Sequence, residues 1–128
     1  MRLLLDTQIL LLALTGSPRL GNVAHDLIVD PRNEIFVSTA SIWEIAIKHA
    51  LGRGDMPVSG SRAAELCGKA GYRELPISWR HAGVVETLPP RHGDPFDRIL
   101  VAQATAESMH LLSRDAVIAD YGTVVMSV

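Results

Sequence analysis

At 128 residues, 48% hydrophobic and 20% charged, the chain has the size and composition of one soluble globular domain, not of a disordered segment or a fibre. A formal net charge of −2 excludes a nucleic-acid binder that relies on a bulk positive field, though not an enzyme acting on such a polymer through clustered acids. The single cysteine, Cys67, allows no intramolecular disulfide, so nothing calls for an oxidising compartment.

The opening run, MRLLLDTQILLLALTG, is interrupted by Asp6 and falls short of the ~18 apolar residues of a membrane span. Its polar lead-in is also wrong for a signal peptide, so the expected setting is cytoplasmic, with no membrane partner. Arg2–Leu5 reads as a strand and Thr7–Leu14 as a helix ended by Gly16-Ser17-Pro18. Leu20–Val29 is predicted helical, and Asp30 to Asn33 a turn. Glu34–Ser38, β-branched and aromatic, is a predicted strand. Thr39 or Ser41 can cap a helix running to about Leu51, and Ser61–Ala70 forms another, stopped by Gly71. Arg73–Ile77 is a strand weakened by Pro76. His81–Leu88 reads as helix, broken by Pro89-Pro90, and Pro95–Ser108 as a further helix. His110–Ser113 and Thr123–Val128 complete the strands.

Apolar strands alternating with helices predict a single α/β domain over residues 1–128. Its core is a mostly parallel sheet of about five strands, flanked by helices on both faces. Ligand sites in such folds lie at the carboxyl ends of the strands.

Several acids fall at those ends, each with two readings. Asp6 follows the first strand, as a helix cap or as a site residue. Glu44 lies about one turn into the helix after EIFVS; the plainer role is an exposed pair with Lys48, worth about 0.3–0.5 kcal/mol. In HGDPFDRILVAQATAE, Asp94 reads as a cap before Pro95, and Asp97 suits the first-turn dipole. Asp115 follows the fourth strand and can cap a turn through Ala116–Asp120. Taken together they deliver several carboxylates to one sheet edge. Two unit charges 4 Å apart repel by up to about 4 kcal/mol at an effective dielectric of 20. Such a cluster takes up protons or a divalent cation, and all-oxygen ligation suits Mg²⁺ or Mn²⁺ beside a phosphate substrate. The histidines His25, His49, His81, His92 and His110 show no zinc spacing. No dinucleotide, Walker or nucleophile-elbow motif is present, and Ser41 and Ser113 have no adjacent histidine base. Ten arginines against two lysines favour bidentate phosphate contacts, while two each of Trp, Tyr and Phe promise little base stacking.

The segments LLLDTQ, VSTASIWEIAIKHALGRGDMP, LPPRHGDPFDRILVAQA and LLSRDAVIADYG resemble, in order and over nearly the whole chain, the PIN-domain family. The likeness is strongest to its VapC-type toxins, the ribonuclease half of toxin–antitoxin pairs. The resemblance implies a metal-binding and catalytic quartet of Asp6, Glu44, Asp97 and Asp115. Asp97 takes the third place because Ala102 and Ala104 then fall in register, leaving Asp94 as a cap or outer ligand. Ser113 matches a Thr or Ser position near the metal. One departure is Gln8, where relatives commonly carry His; Gln can hydrogen-bond a ligand or phosphate but cannot titrate. The implied activity is Mg²⁺-dependent hydrolysis of RNA phosphodiester bonds by a homodimer that an antitoxin silences. The alternative is a PIN-like RNA- or protein-binding module without catalysis, against which retention of all four acids counts. A haloacid-dehalogenase-type phosphatase would need a second Asp where Gln8 stands, and a receiver domain a Lys later than Lys69.

Overall fold

The computed structural model describes residues 1–52, 55–90 and 93–128; Arg53, Gly54, Arg91 and His92, the last of them among the histidines considered above, lie outside the described residues. Five strands are described: β1 (Arg2–Leu5), β2 (Glu34–Ser38), β3 (Arg73–Leu75), β4 (His110–Ser113) and β5 (Val125–Ser127). They form one sheet in the order β3-β2-β1-β4-β5, with every pairing parallel. The described α-helices are α1 (Thr7–Leu14), α2 (Asn22–Val29), α3 (Thr39–Ala50), α4 (Gly60–Ala70), α5 (Trp79–Val84), α6 (Pro95–Glu107) and α7 (Ala116–Ala119).

Strand side chains alternate between the two faces of the sheet, and the core divides accordingly. Leu3, Leu5, Ile35, Val37 and Leu112 pack with Ile9 and Leu10 of α1, Ala24 of α2, Ile45 of α3 and Ala63 of α4. Leu4 and Leu111 pack on the other face with Leu100, Val101 and Ala104 of α6 and Ile118 of α7. The chain leaves β1 towards β2 and β3, then returns past β1 to β4 and β5. That reversal opens a crevice at the carboxyl ends of β1 and β4.

The structure corrects several sequence-based boundaries. Predicted helix Leu20–Val29 is split: Pro18–Leu20 is a single 3₁₀ turn, and Gly21 at φ +82° separates it from α2. Ser38, not Thr39 or Ser41, caps α3, its hydroxyl accepting from the Ala40 N–H at 3.0 Å. Thr39 and Ser41 sit inside the helix, where Thr7 donates to the Ser41 hydroxyl at 3.0 Å. β3 stops at Leu75, one residue before Pro76. The helix predicted from His81 starts at Trp79. Ser78 and His81 form a reciprocal capping box there, and the helix gives way to a 3₁₀ turn at Val85–Thr87. α4 begins at Gly60, capped by Ser59, and α6 ends at Glu107, with Ser108 left-handed at φ +55°. β5 is shorter than Thr123–Val128.

Candidate active site

Each predicted acid is placed by the local structure just described. Asp6 ends β1, where its own N–H continues the ladder to the Leu112 carbonyl at 3.1 Å. Its carboxylate caps α1, accepting from the Ile9 N–H at 2.8 Å, and the residue also lines the cleft described below. The residue is buried, and desolvation raises its carboxyl above the ordinary value of 3.8; hydrogen bonds from Ser113 and Ile9 and the nearby Arg114 offset part of this, while Asp115 adds to it.

Glu44, in the second turn of α3, is only 6% exposed, unlike the surface pair the sequence suggested. One carboxylate oxygen, Oε2, takes the Lys48 ammonium at 2.6 Å. The other, Oε1, is buried with no hydrogen-bond partner. Such an atom costs free energy unless some further donor or cation meets it.

Asp94 caps α6, its carboxylate accepting from the N–H groups of Phe96 at 2.9 Å and Asp97 at 3.4 Å. Pro95 at the first helical position leaves Asp97 within the first turn and half-buried. Phe96 meets Trp43 edge-to-face at 5.3 Å, which ties the first turn of α6 to α3 next to Glu44. Asp115 caps α7 through the Val117 N–H at 2.8 Å. Its own N–H donates to the hydroxyl of buried Ser113 at 3.1 Å.

Asp6, Glu44, Asp97 and Asp115 line one cleft of about 340 Å³. Asp94 and the exposed Gln8 line it too, while Ser113 stands behind Asp6. Two further charged residues of the lining were not singled out from the sequence. Lys48 had been considered only as the partner of a surface glutamate. Asp55 lies in an irregular connection where no periodicity marks it. None of the described histidines lines the cleft; His81 is instead buried between the Ser78 N–H and Glu107, at 3.0 and 3.1 Å.

The donor set is all oxygen, which fits a hard divalent cation, and the unpartnered Glu44 Oε1 is an atom such an ion would satisfy. Among the described residues no three acids, histidines or cysteines already converge as a ready-made metal cage, so side-chain rotation would have to complete one.

The PIN domain family profile matches residues 3–124 of the chain. No curated protein matches it significantly by sequence. Among solved structures it is similar to VapBC2 from Rickettsia felis, bound to a DNA fragment from their promoter. That match has a TM-score of 0.70 at 13% identity and covers 100% of this chain and 98% of the other. A toxin–antitoxin complex from Klebsiella pneumoniae matches with a TM-score of 0.66 at 19% identity, covering 97% and 95% of the two chains. FitAcB from Neisseria gonorrhoeae gives 0.66 at 17%, covering 98% and 96%. At these identities the likeness is one of fold.

Proposed function

This chain belongs to the PIN domain family, and on that premise we propose that it is a metal-dependent ribonuclease, a VapC-type toxin that hydrolyses RNA phosphodiester bonds. The observation that carries this reading is Glu44. Its buried carboxylate has one oxygen unpartnered and opens on a cleft that five further acids line: Asp6, Asp55, Asp94, Asp97 and Asp115. Asp6, Glu44, Asp97 and Asp115 would hold Mg²⁺, or Mn²⁺ in its place. A bound divalent cation supplies acidity to a water molecule and positive charge at the scissile phosphate. The chain's own part is positional. Ser113 and the Ile9 N–H flank Asp6, Asp94 fixes the first turn of α6, and the Trp43–Phe96 contact ties that turn, which carries Asp97, to the helix of Glu44. Gln8, on the cleft wall, can hydrogen-bond a phosphate or a metal-bound water without exchanging a proton.

A cognate antitoxin and a second copy of the chain complete the proposal. The antitoxin is inferred from the toxin–antitoxin complex among the similar structures. Exposed Trp43, Ile77 and Trp79 supply apolar surface of the kind a partner covers. Among the described residues no helix is long and apolar enough to cross a membrane.

The test is cleavage of a panel of structured RNAs with Mg²⁺ and with EDTA. Cleavage that EDTA stops and that Asp97→Asn lacks supports the reading. Metal-independent cleavage, or none on any RNA, contradicts it.

A further inference from the structure

We propose that Lys48 is a counter-ion built into the cleft: its ammonium holds Glu44 until a divalent cation takes that carboxylate, and then turns to a phosphate of the bound RNA. The inference rests on reading the cleft as a metal-dependent RNA site. Exposed i,i+4 pairs contribute little because water solvates both partners equally well. This pair is asymmetric: the Glu44 side chain is 8% exposed and that of Lys48 40%, with Nζ 2.6 Å from Oε2. Removing Lys48 would leave a buried carboxylate with neither oxygen partnered, since Oε1 already lacks one.

The charge around the pair decides what the ammonium is for. Among the described residues lining the cleft there are six carboxylates and one positive group, Lys48. That ammonium therefore neutralises part of an acidic cluster that otherwise repels itself. It also holds Oε2 of the carboxylate whose Oε1 an incoming cation would take, and Glu44 cannot give its full charge to both. The two cations are competitors for one carboxylate. Lysine suits such an exchange, since its head is a compact charge on a flexible four-carbon stem. Once displaced, it stays tethered one helical turn from Glu44, on the wall along which an anionic strand would lie. There an ammonium serves as a point-charge ligand for phosphate.

Calorimetric titration of the metal-free protein with Mn²⁺ tests the exchange. Lys48→Met should bind Mn²⁺ about tenfold more tightly than the unsubstituted chain, as expected for removing one nearby like charge. Lys48→Arg, which keeps the charge, should bind as weakly as the unsubstituted chain. Lys48→Gln repeats the measurement if circular dichroism shows the Met variant unfolded. At saturating metal, Lys48→Met should raise KM for RNA about tenfold with kcat changed less than threefold, on the same electrostatic scale. Mn²⁺ affinity equal to or weaker than that of the unsubstituted chain overturns the exchange, and an unchanged KM overturns the phosphate contact. A chain that binds no Mn²⁺ in any form overturns the metal-site reading itself, a result distinguishable from the failure of Lys48 alone.

Discussion

The hydroxyl of Ser113, buried at the end of β4, accepts the N–H of Asp115 at 3.1 Å and lies close enough to Asp6, at the end of β1, to favour its charged carboxylate. One buried side chain thus orders two of the acids of the cleft. Ser113→Ala should cost about 1–3 kcal/mol in denaturant unfolding, because a buried acid and a backbone N–H both lose a partner. It should also lift the Asp6 carboxyl further, which a carbon-detected NMR titration reads directly. An unchanged Asp6 titration would show that the hydroxyl does not support that carboxylate.

Asp94 and Asp97 are three residues apart, and the proposed function gives them different ends. Asp97→Asn should abolish Mg²⁺-dependent RNA cleavage while leaving the chain folded, since Asn is nearly isosteric but a poor ligand for a hard cation. Asp94→Asn keeps a good cap and should leave cleavage largely intact. If Asp97 served only the helix dipole, its substitution would cost about 0.3–1 kcal/mol and activity would survive. A dead Asp94→Asn protein would move the ligand role to Asp94.

Burial raises the Asp6 carboxyl above its ordinary 3.8, so the folded chain keeps that proton at pH values where the unfolded chain has lost it. Stability from this group is full below 3.8 and falls as pH rises through the folded value. Asp6→Asn removes the effect and retains a capping side chain for the Ile9 N–H. In EDTA, the melting temperature of the variant relative to the unsubstituted protein should therefore climb as pH rises above about 4. A constant difference over that range would mean that burying the charge is not what perturbs Asp6.

Gly60 packs α4 against α3 so closely that an added Cβ would lie 2.6 Å from the Cβ of Ala46. Gly60→Ala should destabilise the fold by about 1–3 kcal/mol through overpacking. Ala46→Gly costs roughly 1 kcal/mol by itself as a helix-interior glycine. Combined with Gly60→Ala it should be less damaging than the sum, because it returns the missing space. Strict additivity in chemical unfolding would locate the strain elsewhere.

The sequence states the frame of the fold clearly because the strands are short apolar runs with sharp ends. Arg2–Leu5, Glu34–Ser38 and His110–Ser113 are strands with the boundaries predicted, and Thr7–Leu14 is a helix with its predicted ends. Errors arise where one residue's backbone decides. Gly21 breaks a pattern that hydrophobicity alone would carry through. Ser38 serves both as the last residue of β2 and as the cap of α3, which moves the helix start ahead of the two candidates within it. At the cleft, the helix caps Asp6, Asp94 and Asp115 were legible, because a cap has a local signature. The burial of Glu44 was not, since it depends on segments far off in the chain that close over α3. Asp55 lay outside any periodic element and had no such signature.

The central strand β1 pairs on one side with β2, soon after it in the chain, and on the other with β4, where Leu3 meets His110. The wall that carries Asp6 beside Asp115 therefore awaits a segment made long after β1 and β2. A growing chain can assemble β1, β2 and the helices between them while the cleft still lacks one side. Shortened products that stop before β4 carry Asp6 and Glu44 but have no enclosure in which to use them. The order of the strands thus makes the cleft a late acquisition, withheld from any fragment that stops short of β4.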